Sequence, residues 1–325
     1  MTEPLLSVRD LEVALDRRRD APSIVRGVSF DVAPGEAVGV VGETGSGKTL
    51  SMLAVMGLLP PAVKRTGGEI VFDGHDLTRL RGRELRRLRG RDLAMVYQDP
   101  ATSLNPLMTI GDQIAEALHA HGVARAEVRR RVHDALVQVG IPDPERTARA
   151  YPHQFSGGMR QRAMIATALV LSPKLLIADE PTTALDVTIQ QQILALVRRL
   201  QDETGMAIVW ITHDLGVVAR LVDRVVVMYA GHVVEQAPTR TLFRRPEHPY
   251  TAGLLASLPD PTDASRPPLA QIPGTPPDPA QVPSGCPFRD RCLQAIERCA
   301  EERPPLTLRA GGGAAACWVP PEAWR

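Results

Sequence analysis

The octapeptide Gly42-Glu43-Thr44-Gly45-Ser46-Gly47-Lys48-Thr49 restricts what this chain can fold into more than any other stretch. It fits G-x-x-x-x-G-K-[ST] and lies between the apolar run Ala37-Val38-Gly39-Val40-Val41 and an apolar segment beginning at Leu50. Strand, glycine-rich loop and helix in that order give the pattern its meaning. The glycines keep side chains out of the way, so successive backbone N–H groups can turn inward around a polyphosphate. The positive end of the following helix adds to that anion site. Lys48 would reach the β- and γ-phosphates, and the Thr49 hydroxyl would ligate Mg²⁺. A chance glycine turn before a helix would need neither the lysine nor the flanks. Residues 42–50 are therefore expected to hold a nucleoside triphosphate.

Length and composition narrow the class. At 325 residues the chain can bury a sizeable core in one large domain or two smaller ones. It is 44% hydrophobic and 23% charged with a formal net charge of +1, a balance that gives no support to a nucleic-acid partner. Runs such as Ala207-Ile208-Val209-Trp210-Ile211 fall far short of the ~20 residues of a membrane span. The N-terminal Met-Thr-Glu-Pro lacks the layout of a signal peptide, so a cytosolic chain is expected. Lysine occurs only at 48, 64 and 174, arginine supplying the other cations, which makes a retained ammonium at 48 informative.

Alternation of apolar and polar residues predicts strands at 6–14 and 24–32, with 16–22 as a charged turn. Residues 37–41 read as a strand buried on both faces, and 50–59 as a helix stopped by Pro60-Pro61. A short strand is expected at 67–73, a basic helix-compatible face at 79–91, and a buried strand at 92–97. From 110 to 140 the period becomes helical: Val128, Val132, Ala135, Leu136 and Val139 share one face. A helix follows at 161–171, a buried strand at 175–178, an amphipathic helix carrying Ile189, Ile193, Leu196, Val197 and Leu200, and strands at 207–212 and 224–228. Such alternation implies a largely parallel sheet whose carboxyl ends gather the loops. Between Pro259 and Pro283 lie nine prolines in 25 residues, an extended linker.

Two further constellations carry chemistry. Leu175-Leu176-Ile177-Ala178 delivers Asp179 and Glu180 to a strand end, where Mg²⁺ is the obvious partner for Asp179 and Glu180 stands as a base for water. Phe155-Ser156-Gly157-Gly158-Met159-Arg160-Gln161-Arg162 offers a second anion site, a serine hydroxyl at a glycine-freed helix start.

Ser-Gly-Gly-x-x-Gln between the two nucleotide motifs resembles the signature of ATP-binding cassette (ABC) ATPases. The resemblance implies an α/β fold: an ABC-type P-loop nucleotide-binding domain with a mostly parallel sheet, an antiparallel β edge and a helical subdomain. It further implies that Ser156, Gly157, Gly158 and Gln161 act on ATP bound by a partner subunit. Gln98 would contact Mg²⁺ and the attacking water. Asp186, in Ala184-Leu185-Asp186, would line the dimer interface, and His213 would contact the γ-phosphate. Longer stretches are similar to the oligopeptide/dipeptide importer ATPases: Tyr97 through Pro106, Tyr151 through Arg162, Ala178 through Gln190, His248-Pro249-Tyr250-Thr251, and Gly285-Cys286-Pro287-Phe288-Arg289-Asp290-Arg291-Cys292.

That closer resemblance implies an ATPase domain over 1–258 with its helical part near 100–170, the linker at 259–284, and a cysteine-bearing extension at 285–325. It implies ATP hydrolysis driving peptide import from the cytoplasmic face of a bacterial inner membrane. A second ATPase subunit, two permeases and an extracytoplasmic peptide-binding protein would be partners, and nucleic acid would not. Nickel, glutathione or opine import stays open, since the substrate never touches this subunit. One departure is the missing aromatic upstream of the loop: residues 11–28 hold no Phe, Tyr or Trp, and Leu15 or Arg17 stands where the family stacks adenine. Cys286, Cys292, Cys299 and Cys317 are spaced x5, x6 and x17, without C-x-x-C pairs. By resemblance they would bind a four-iron cluster; zinc and unliganded thiols are the alternatives.

Overall fold

A computed structural model describes residues 3–15, 22–183, 185–258, 271–279 and 281–324. Most of the expected turn at 16–22, with Arg17, lies outside the described residues, as do Ala184 and most of the proline-rich stretch before 271. The chain divides into two units. One takes in the N-terminal strands, Ala37–Thr78 and the chain from Trp210 onward; the other holds Pro34–Glu36 and Arg79–Val209.

In the first unit, β1 (Leu6–Leu15) and β2 (Ser23–Val32) form an antiparallel pair, with Leu6, Val8, Leu11 and Val13 wholly buried. β3 (Ala37–Val41) is buried at every position and runs into the glycine loop and α1 (Lys48–Met56). This helix ends earlier than Pro60 requires. Gly57, at φ 60°, donates to Ala54 and the next N–H bonds Leu53, so a left-handed cap closes the helix before the prolines. β4 (Val63–Phe72) is longer than its expected seven residues because the ladder with β1 extends to Leu15↔Val63. β5 (His75–Asp76) completes the order β2-β1-β4-β5.

The second unit opens on the basic segment, where only α2 (Arg83–Leu88) is helical. Gly82 at φ 53° and Gly90 at φ 83° turn the backbone at either end, so seven arginines between 79 and 91 do not build one long face. β6 (Leu93–Val96) pairs in parallel with β7 (Leu175–Asp179), and both are buried throughout. Between them come α3 (Pro100–Ser103), α4 (Ile110–Ala120), α5 (Arg125–Gln138), α6 (Pro144–Thr147) and α7 (Gly157–Leu169). The predicted stripe of α5 is buried together with Ile110, Ile114 and Leu118 of α4, and α4, α5 and α7 pack on one another. α7 starts four residues before the expected 161 because Ser156 caps it. After β7, α8 (Val187–Thr204) leads to β8 (Ala207–Thr212), within which the boundary between units falls.

Returning to the first unit, α9 (Leu215–Leu221) precedes β9 (Arg224–Tyr229), which pairs in parallel with β3 and antiparallel with β10 (His232–Pro238). The β9–β10 hairpin turns on Ala230 and Gly231, both at positive φ, and alanine there is a weak turn signal in a sequence. α10 (Thr239–Arg244) and α11 (Pro249–Ala256) follow. Residues 271–279 and 281–283 carry neither helix nor strand. In the tail, α12 (Arg298–Glu301), β11 (Thr307–Leu308) and β12 (Ala314–Ala315) are short; β12 pairs with β10 at Glu235 and Gln236, and β11 lies outside it.

Glu235, 1% exposed, ties β10 to α11 by accepting the N–H groups of Glu247 (2.8 Å) and His248 (2.9 Å). Burial pushes its carboxyl up to about 7. The folded chain therefore binds a proton at Glu235 that the unfolded chain releases at lower pH. This contribution to stability is present below the ordinary carboxylate range and is lost as pH rises through about 7. The thermal midpoint should fall between pH 5 and 8. Glu235→Ala should flatten that slope and cost about 2–4 kcal/mol by leaving two buried N–H groups unpaired, as read by denaturant unfolding.

Candidate functional site

The glycine loop is built by close approach. Gly42 leaves β3 at φ 154°, and a Cβ there would sit 2.1 Å from the Met228 carbonyl oxygen of β9 and 2.8 Å from Ser46 Oγ. The Gly231 N–H donates to the Ser46 carbonyl (3.1 Å) and closes the loop from the hairpin side. Gly47, left-handed at φ 97°, stands at the N-cap position of α1 without a side-chain cap. Lys48 is 5% exposed, and its ammonium donates to the carbonyls of Gly42 (2.7 Å) and Glu43 (3.0 Å), arching over the loop. Ser46 Oγ is buried with no hydrogen-bond partner. A buried hydroxyl left over in a glycine loop fits a site that completes itself around an anion. Thr44, Gly45 and Thr49 are exposed, and Leu50 is half-buried.

Neighbours of Glu43 were not anticipated from the sequence. Its N–H donates to Tyr250 Oη (2.8 Å), and its carboxylate takes a bidentate pair from Arg291, 2.6 Å from Nη1 and 3.0 Å from Nη2. Tyr229, Tyr250 and Phe288 pack ring to ring around this point, with centroids 4.7–5.4 Å apart. His248, wholly buried and pushed down to about 3, is neutral and accepts the Tyr250 N–H at Nδ1, capping α11. The histidine and tyrosine belong to His248-Pro249-Tyr250-Thr251, and Arg291 lies in the cysteine-flanked stretch. Both motifs were visible, but nothing in their spacing pointed to the loop some 200 residues earlier. His213 is exposed just beyond β8, ahead of Asp214, whose side chain caps α9 through Gly216 and Val217.

In the other unit, β7 ends on Asp179, 5% exposed. Glu180 follows at φ 45°, a left-handed conformation that a non-glycine residue adopts only against a steric cost of about 1–3 kcal/mol. Its Oε2 accepts Thr183 Oγ1 (3.0 Å) and a long contact from Gln98 Nε2 (3.4 Å), so the expected water-positioning residues Glu180 and Gln98 meet. Ser156 Oγ accepts the Met159 N–H (3.3 Å) as N-cap of α7. Ser156 and Gly157 are exposed, whereas Gln161 is 0% exposed with both amide atoms unpartnered, so it sits on the inner face of α7. Asp186, exposed, accepts the Ile189 N–H (2.9 Å) and caps α8.

The four cysteines lie in one another's electrostatic reach, and the Cys286 N–H donates to the Cys299 carbonyl (2.8 Å). Burial pushes Cys286 up to about 12 and Cys292 up to about 11, and Cys317 Sγ donates to the Val319 carbonyl (3.2 Å). The donor chemistry suits a cluster, but the arrangement does not: among the described residues no three His, Cys, Asp or Glu side chains form a metal-holding group.

The chain is similar to solved ATP-binding cassettes. One is the cassette MJ0796 in a dimeric post-hydrolysis state with ADP and Pi (TM-score 0.64, 27% identity, 72% of this chain and 99% of that one). Another is cbiO1 of Clostridium perfringens, part of the ABC transporter complex cbiONQ (TM-score 0.64, 29% identity, 75% and 92%). The ABC transporter family model matches residues 25–183, and that of the oligopeptide/dipeptide transporter C-terminal region matches 234–299. A probable peptide ABC transporter ATP-binding protein of Sinorhizobium fredii is 51% identical over 97% of this chain and 94% of its own length. The dipeptide transport ATP-binding protein DppD is 48% identical in Bacillus subtilis and 47% in Escherichia coli, over 98% and 97% of this chain and 95% and 97% of theirs. The fold and site thus define an ABC ATPase cassette. More narrowly, the chain belongs to the ATP-binding proteins of the oligopeptide/dipeptide ABC transporter family.

The signature helix owes its fit to a missing methyl group. A Cβ on Gly158 would stand 2.8 Å from Ile189 Cγ2 of α8. Gly158→Ala should cost about 1–3 kcal/mol in thermal unfolding, and Ile189→Val in the same chain should recover part of it.

Proposed function

We propose that this chain is the ATPase subunit that powers uptake of di- and oligopeptides through a membrane permease, acting as one of two paired ATPase subunits. The joint match to the cassette and to the oligopeptide/dipeptide C-terminal region carries this reading, with near full-length relatives named for peptide or dipeptide transport. Nickel, glutathione and opine import have no such support. A soluble ABC ATPase working on nucleic acid is disfavoured by the net charge of +1 and by these relatives. No helix among the described residues is long and apolar enough to cross a membrane, which suits a peripheral subunit at the cytoplasmic face that meets permeases built by other chains.

In this reading Lys48 and the N–H groups of residues 42–50 grip the β- and γ-phosphates. Ser46 gains the partner its hydroxyl lacks. Thr49, Gln98 and Asp179 would hold Mg²⁺, which when bound neutralises phosphate charge. Glu180, oriented by Thr183, takes the proton of the attacking water while Gln98 helps to place that water. His213 stabilises charge growing on the γ-phosphate. Ser156 and Gly157, exposed at the start of α7, and Gly158, buried behind them, would serve nucleotide held by the opposing subunit, with Gln161 supporting that helix from within and Asp186 near the interface. Closure of the pair would bias two states of the permease through the Gln98 loop.

Glu180→Gln should leave ATP binding intact while lowering turnover by about 10²–10⁴-fold in the assembled complex. Wild-type turnover in that variant would refute the assignment. Uptake of labelled dipeptide into vesicles bearing the complex, set against nickel, decides the substrate class. The four-iron reading of Cys286, Cys292, Cys299 and Cys317 requires their side chains to turn toward a common centre. It expects about four irons and four sulfides per anaerobically purified chain, falling together in Cys292→Ser.

A further inference from the structure

We infer that Arg291, in the cysteine-bearing tail, is a positioning and charge-neutralising residue for the phosphate loop, so that the tail forms part of the nucleotide site. This rests on the reading of residues 42–50 as a triphosphate site.

Glu43 puts a carboxylate into a loop meant to take up several phosphate charges. Left alone, that carboxylate would repel the ligand. Arg291 cancels it. Its side chain is 5% exposed, its two Nη atoms take both Glu43 oxygens at 2.6 and 3.0 Å, and its Nε donates to the Pro273 carbonyl at 2.8 Å. The guanidinium also reaches Tyr229 Oη at 3.3 Å and lies 5.7 and 5.9 Å from the ring centres of Tyr229 and Phe288. Lysine could not make these planar, forked contacts together.

Glu43 is held at each of its polar groups. Tyr250 takes its N–H, Arg291 its carboxylate, and Lys48 donates to its carbonyl. A continuous line of polar contacts therefore runs from the tail through Glu43 to the ammonium that would grip the γ-phosphate. A second device lies over the same loop. Arg291 holds the carbonyl of Pro273 and Arg26 holds that of Pro279 (2.8 Å), so residues 273–279 are strapped at both ends. Between strap and loop lies a cavity of about 320 Å³ bordered by Glu43, Ser46, Pro276 and Pro279.

A buried ion pair is poor evidence for stability, because desolvation offsets its attraction. What this pair supplies is a fixed loop in which the Glu43 charge is compensated and the Lys48 ammonium sets the sign. The consequence is specific. Removing the arginine alone leaves an unneutralised carboxylate beside the phosphates, whereas removing both partners removes that carboxylate and its counter-charge together.

The test is MgATP binding by the full-length chain, measured by calorimetry at low and moderate salt, with thermal midpoints alongside. Arg291→Gln should weaken binding about ten-fold at low salt and less at higher salt, as expected for one unscreened charge near the phosphates. Glu43→Gln/Arg291→Gln should return to within about three-fold of wild type, and Arg291→Lys should fall between wild type and Arg291→Gln. Wild-type affinity in Arg291→Gln would overturn the inference, as would equal losses in single and double variants without salt dependence. If Arg291→Gln does not fold, Glu43→Gln gives the complementary comparison: it removes the repelling carboxylate and leaves the guanidinium, so it should bind MgATP more tightly at low salt, and unchanged affinity there would overturn the inference. Absence of MgATP binding by the wild-type chain would instead sink the triphosphate reading itself.

Discussion

Everything near the phosphate loop depends on how closely three backbones cross. β3 ends beneath the Met228 carbonyl, where only a glycine at 42 can pass, and the β9–β10 turn comes back over the loop at Gly231. A Cβ on Gly231 would lie 2.2 Å from the Ile24 carbonyl of β2, so the same turn also fixes the antiparallel strands against the loop. With no side chains at these crossings, the loop is shaped by main-chain hydrogen bonds and by the arch of Lys48. Rigidity of this kind lets a small loop hold a highly charged ligand without reorganising around it.

The chemistry sits on strand ends and helix starts for related reasons. Asp179 and Glu180 leave a wholly buried strand, and the left-handed turn at Glu180 brings its carboxylate to Thr183 and Gln98. Ser156 and Asp186 are both N-caps, spending their side chains on the first turns of α7 and α8. Local backbone requirements and site chemistry thus fall on the same residues.

Much of this could be read from the sequence because its signals were short-range. The glycine loop, the apolar strands ending in Asp179 and Thr212, and the helical stripe through Val128 and Leu136 are periodic or tightly spaced. What escaped was of two kinds. The ends of α1 and α2 were set by left-handed glycines at 57, 82 and 90 rather than by prolines or by the extent of the charge pattern. The surroundings of Glu43 depend on residues 229, 250, 288 and 291, which no local pattern joins to position 43. Glu235 belongs with these, since two N–H groups twelve and thirteen residues away hold it inside.

Two pairs of residues in the tail also settle a problem of exposed hydrogen-bonding groups. β10 is seven residues long, and the side of it away from β9 would be an open edge. β12 covers part of that edge at Glu235 and Gln236, and β11 then becomes the outermost strand with only Thr307 and Leu308. A long edge able to template another chain is traded for one too short to do so. The cysteine-bearing tail thus leaves the sheet with a two-residue outer strand that offers little backbone for another chain to pair with.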